Sequence, residues 1–218
     1  MQAREFRWTR SPAAAWVNLR VGYRTTERDQ WTFDIYNLMD RKVDDIATRN
    51  GFTAFGMEKV GTLITRGVLI DVAALKGVAV LPDSYPITVE DLQAALKRQS
   101  LTLRPGDAPI INTGWWTNWT KDPAKFVRVN PGLTTAASEW LARQDPMLVG
   151  MDVAPISVTP DPDPKLNNPS HQIFLVVNGI HLLENLKLDQ LLASGVQEFA
   201  LVLQPVKMTG ATGSTVAP

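Results

Sequence analysis

The chain has no cysteine and only two histidines among its 218 residues. The first absence excludes disulfides and thiolate metal sites. The second leaves little imidazole for catalysis or metal binding, since His171 and His181 are the whole supply. Charge of either sign is not in excess, with Lys plus Arg and Asp plus Glu at 22 each. Binding phosphates needs a basic surplus, so nucleic acid is not expected as a partner. No apolar run is long enough to span a bilayer, so no membrane partner is expected either. Ala13–Val17 is too short for the apolar region of a signal peptide, and the expected location is cytoplasmic. Gly-x-Gly-x-x-Gly, Walker and Gly-x-Ser-x-Gly strings are also missing. A dinucleotide fold or an α/β-hydrolase therefore has no support.

Alternating strand and helix signals are present instead. Trp31–Tyr36 looks extended, Asp40–Ala47 suits a helical turn, and Asn50-Gly51 signals a turn. Val68–Val72 is a short apolar run of the buried-strand type. Thr88-Val89-Glu90-Asp91 fits a capping box closed by Asp, and Leu92, Ala95 and Leu96 follow at helical spacing, which predicts a helix over 88–99. Ala108–Asn112 predicts a strand, 134–144 a helix, and Met147–Val153 a strand. Asp152 within that last strand is a carboxylate in need of a partner. Residues 160–169 form a proline-rich loop, Phe174–Val177 is apolar, Leu186–Leu192 suits a short helix, and Phe199–Leu203 reads as the final strand. Residues 1–29 show no clean period and read as an arm. The class is α/β.

Several stretches fall in a telling order. They are Phe52–Val60, Thr65–Ala73, Ile87–Leu92, Arg104–Asp107, Asn112–Trp115, Val149–Asp152, His171–Leu186 and Gly210–Val216. This order resembles the cyclase family of metal-dependent hydrolases, which includes kynurenine formamidase and isatin hydrolase. The resemblance covers roughly residues 35–218. It implies a single α/β domain with a swivelling β/β/α-type mixed sheet and surrounding helices, over 34–218, behind an atypical arm at 1–33. It also implies a homo-oligomer, dimer or tetramer, and a small-molecule substrate. The implied reaction is hydrolysis of a C–N amide or lactam bond, or a lactone, as in N-formylkynurenine or isatin. The implied cofactor is manganese or zinc.

By the same resemblance His171 and Glu184 match metal ligands, Trp115 lines the substrate pocket, and Asp152 supports the site. One departure stands out. The family's main ligand motif, His-x-Gly-Thr-His-x-Asp-x-x-x-His, would fall just before Asp34, yet residues 20–33 hold no histidine. Asp29, Asp34 and the Asp40, Asp44 and Asp45 cluster are the available substitutes, and oxygen-rich sites favour manganese over zinc. A general base is required as well, and His181 is the remaining histidine. The alternative is a truncated or degenerate, inactive member that keeps the fold.

Overall fold

A computed structural model describes residues 19–24, 30–35, 47–49, 51–53 and 56–217. The chain divides into two compact units, residues 1–64 with 202–218, and residues 65–201.

In the first unit, β1 (Leu19–Arg24) and β2 (Gln30–Ile35) form an antiparallel pair, with Leu19 opposite Ile35. The expected arm thus contains a strand. Its sequence has no two-residue alternation, but an antiparallel ladder is held by backbone bonds and tolerates a poor side-chain pattern. β3 (Ala47–Thr48) and β4 (Gly51–Phe52) pair around the turn signalled by Asn50-Gly51. The helical turn expected from Asp40 lies outside the described residues up to Ala47.

The second unit is built on a sheet. β5 (Leu63–Asp71), β7 (Ala108–Asn112), β9 (Leu148–Met151) and β10 (His181–Leu183) run parallel, in spatial order β10-β9-β7-β5. Between them in sequence, β6 (Pro86–Ile87) and β8 (Gly132–Leu133) form a separate parallel pair. β11 (Glu198–Pro205) follows β5 in the sheet. Every residue of β7 and β9 is buried. Parallel strands covered on both faces read as unbroken apolar runs, which is why these segments were legible. β11 instead alternates, burying Leu201 and Leu203 and exposing Val202. It is not the last strand: in the first unit, to which residues 202–218 belong, β12 (Val216–Ala217) pairs antiparallel with Gln204 and Pro205.

Helix α1 (Val89–Arg98) carries the expected capping box, with the Thr88 hydroxyl accepting from Asp91 N and the Asp91 carboxylate from Thr88 N. It buries Leu92, Ala95 and Leu96. Fully burying one such leucine stabilises by about 1.5–3 kcal/mol. Helix α2 (Thr135–Ala142) starts where the Thr134 hydroxyl accepts from Ala137 N. It buries Ala137, Ser138 and Leu141. Helix α3 (Asp189–Ser194) starts later than the sequence predicts and ends at Gly195, whose φ of 68° terminates it. Phe174–Val177 belongs to a π-helical segment, Gln172–Val177. At the opposite end of the sheet from the strand carboxyl ends, Arg66 clamps Asp107 through two bonds of 2.9 and 2.5 Å and reaches Glu198 at 2.5 Å.

Candidate functional site

The carboxyl ends of parallel strands are where such sheets open to ligands. Here those ends carry Asp71 as the last residue of β5, Asn112 as the last of β7 with Thr113 next, and Asp152 just after β9. They are wired together. Asn112 Nδ2 donates to Asp71 Oδ1 at 2.8 Å. Thr113 donates to Asp152 Oδ1 from its backbone N at 2.9 Å and from its hydroxyl at 2.7 Å. The Thr113 hydroxyl accepts in turn from Trp115 N at 3.1 Å. Asp152 is 0% exposed, and among the described residues its Oδ2 has no hydrogen-bond partner. Burial pushes its carboxyl up to about 6, against the lowering effect of the Thr113 bonds.

The next strand end brings a carboxylate to a histidine. Asn185 N donates to Val153 O and Leu186 N to Met151 O, each at 3.1 Å, so the chain beyond β10 stays alongside β9. Glu184 leads that stretch. Its Oε1 accepts from Ile156 N at 2.9 Å and lies 3.6 Å from His171 Nε2. His171 closes a helical turn, Pro169–His171, whose backbone N bonds Asn168 O at 3.1 Å. The side chains of His171 and Glu184 keep 31% and 26% of their exposure, so a solute reaches them.

This pair fits a divalent cation in part. Two donors each about 2.1 Å from a tetrahedral ion stand about 3.4 Å apart. The observed 3.6 Å is close to that. His171 Nδ1 is buried without a hydrogen-bond partner among the described residues, and Ile156 N orients Glu184 as an outer-sphere donor does. Among the described residues no third His, Asp or Glu joins them. Asp29, Asp40, Asp44 and Asp45 lie outside the described residues, and Asp34 is described only as part of β2.

The structure thus brings His171 and Glu184 together and leaves the other histidine apart. His181 begins β10, three residues before Glu184, which is about 10 Å along a strand. Burial lowers its pKa. Trp115 is 1% exposed, and its indole N–H donates to Phe126 O at 3.0 Å. Lys125 Nζ lies 5.3 Å from the centre of its ring. Of the neighbouring tryptophans, Trp119 is 58% exposed and stands edge-on to Phe126.

Sequence reasoning missed the groups that hold the site. Thr113 gave no signal beyond its place after a strand. Ile156 acts through its backbone N–H, which no side-chain pattern reports. Asn130 is fully buried and donates from Nδ2 to Pro131 O, Pro155 O and Ser157 O, fixing the loop that carries Ile156. Ser138, Ser157 and Ser170 are buried and mutually bonded. A serine on the apolar face of α2 was the one available hint.

Residues 53–157 match the family described as "Putative cyclase". Residues 53–157 belong to the cyclase family. The cyclase-family segment carries β5, β7 and β9, with Thr113, Trp115, Asp152 and Ile156, while His171 and Glu184 lie beyond it. A crystal structure of a novel cyclase superposes with a TM-score of 0.66 at 31% identity, covering 74% of this chain and 54% of that one. Isatin hydrolase A from Labrenzia aggregata, bound to benzyl benzoate, gives 0.58 at 20% identity, covering 74% and 63%. Isatin hydrolase A from Ralstonia solanacearum gives 0.58 at 20%, covering 97% and 85%. The isatin hydrolases share the α/β fold. The chain spans 54% and 63% of the length of the first two of these structures. No curated protein matches the sequence significantly. No helix among the described residues is long and apolar enough to cross a membrane.

Proposed function

We propose that the protein is a metal-dependent hydrolase of a C–N amide or lactam bond, or a lactone, in a small molecule of the isatin or N-formylkynurenine type. The observation that carries this is the approach of His171 Nε2 to Glu184 Oε1 at 3.6 Å beside the strand carboxyl ends. The fold shared with isatin hydrolases supports the substrate class. His171 and Glu184 hold manganese or zinc in this reading. Such an ion supplies Lewis-acid polarisation of the scissile carbonyl. Glu184 is oriented for its part by Ile156 N, and Asp152 fixes the Thr113–Trp115 turn at the carboxyl end of β7. The protein works as a homo-oligomer.

The test is metal content after purification with added manganese or zinc, with His171→Ala and Glu184→Gln alongside. Roughly one ion per chain in the parent, lost in both variants, is expected. Loss of isatin absorbance on adding the loaded protein is the matching activity assay. No metal in the parent overturns the reading.

A second reading is favoured by one observation: the chain has two histidines, and none precedes His171. An inactive relative that keeps the fold would bind metal weakly or not at all. It would leave amides, lactams and lactones alike uncleaved.

A further inference from the structure

Three buried serines connect the turn that carries His171 with the loop whose Ile156 N–H bonds Glu184. Ser138 Oγ lies 2.8 Å from Ser170 Oγ, and Ser157 Oγ lies 2.8 Å from Ser170 Oγ. Ser170 N donates to Ser157 Oγ at 3.1 Å, and Ser138 Oγ donates to Thr134 O at 3.1 Å. Each hydroxyl has one proton. Ser138 spends its proton on Thr134 O, so Ser170 donates to Ser138. Ser157 in turn donates to Ser170. One direction of donation therefore satisfies the whole chain, from Ser157 through Ser170 and Ser138 to the carbonyl capping α2.

The middle and one end of this chain lie next to residues that bear on the proposed ligands. Ser170 directly precedes His171. Ser157 directly follows Ile156, whose N–H holds Glu184 Oε1 at 2.9 Å. All three serines are essentially without solvent exposure. Water cannot replace a lost partner there, so a broken link is not repaired locally. Packing alone does not require three hydroxyls at this junction, since alanine or a larger apolar residue fills such a place in a core.

We infer that the Ser157–Ser170–Ser138 hydroxyl chain is a positioning device that sets the separation of His171 and Glu184. This rests on the proposed cation site. The three serines touch neither ligand side chain and act through the adjacent backbone. Ser170 holds the turn that aims His171, and Ser157 holds the loop whose N–H aims Glu184. Metal sites lose affinity when such supports are removed, by about 10–100-fold in known cases.

The experiment measures Mn²⁺ affinity by titration calorimetry, and the visible spectrum of the Co²⁺ form, for the full chain. Ser170→Ala and Ser138→Ala are compared with Leu141→Val, a core change on the same helix. His171→Ala is included as the ligand control. Ser170→Ala is expected to weaken Mn²⁺ binding about tenfold or more and to change the Co²⁺ spectrum. Ser138→Ala follows in the same direction, and the double variant is no worse than Ser170→Ala, because the chain acts as a unit. Leu141→Val lowers the melting temperature and leaves affinity and spectrum unchanged. Should Ser170→Ala not fold, the same comparison is decided by Ser138→Ala. Wild-type affinity in the serine variants, with loss in His171→Ala, overturns the positioning role and leaves the metal site standing. An equal affinity loss in Leu141→Val also overturns it. No binding by the parent overturns both readings.

Discussion

Thr113 gives Asp152 two hydrogen bonds to one oxygen, at 2.9 Å from its backbone and 2.7 Å from its hydroxyl, in a part of the sheet without solvent. The hydroxyl bond is therefore charge-assisted whenever Asp152 is ionised. Thr113→Val keeps the shape and deletes this donor. It also removes the acceptor for Trp115 N. The expected loss is about 1–3 kcal/mol at pH 8, and less at pH 5, where the carboxyl is largely protonated. Urea unfolding at the two pH values checks this. An equal loss at both would show that the hydroxyl does not favour the ionised form.

Asp152 itself predicts a pH dependence. Its carboxyl is pushed up to about 6 by burial, against about 3.9 in an unfolded chain. Between roughly pH 4 and pH 6 the folded state binds more protons than the unfolded state, so stability falls as pH rises through this window. The fall is up to about 3 kcal/mol. Asp91 and Asp107 act oppositely. Burial raises each, but Lys76, Thr88 N and Tyr85 outweigh it at Asp91, and Arg66 and Arg104 N outweigh it at Asp107. Their pKa values are lowered, and their contribution is lost as pH falls through those values. Asp152→Asn is expected to abolish the decline between pH 4.5 and pH 7 and to keep the loss in acid. A variant whose stability still declines over that range would assign the effect elsewhere.

Gly132 lets β8 lie against the loop that supports Glu184. A Cβ there would meet the carbonyl carbon of Ser157 at 2.4 Å and Ile156 O at 2.5 Å, both backbone atoms. Leu133 N bonds Ile156 O at 2.8 Å from the same strand. Gly132→Ala is expected to cost about 1–3 kcal/mol. It also moves Ile156 N away from Glu184, and weaker cation binding should accompany the lower melting temperature. Unchanged melting would show that the loop yields freely.

Gly114 illustrates the same point in the neighbouring turn. Its φ is 73°, and a Cβ would stand 2.0 Å from Ala79 O. The sequence shows a glycine between Thr113 and Trp115, and the fold shows why a side chain is excluded. Likewise, the pocket role expected of Trp115 came from the family resemblance. The structure packs its ring into the core cluster and binds its N–H to a carbonyl eleven residues on. Position along the chain does not reveal which way an indole turns.

The sequence by itself determined the α/β class, the buried strands β5, β7 and β9, and helix α1 with its capping box. These are local matters: apolar runs, helical spacing and a reciprocal cap are written within a dozen residues. It also confined metal chemistry to nitrogen and oxygen donors, because thiolates are absent and histidine is scarce. Tertiary structure alone decided that His171 meets Glu184 across 3.6 Å while His181 stands apart. It alone joined Ser138, Ser157 and Ser170, which are spread over 32 residues. The reason is physical. Contacts between segments depend on how a sheet and its loops pack, and a backbone N–H such as that of Ile156 is the same in every sequence until folding aims it.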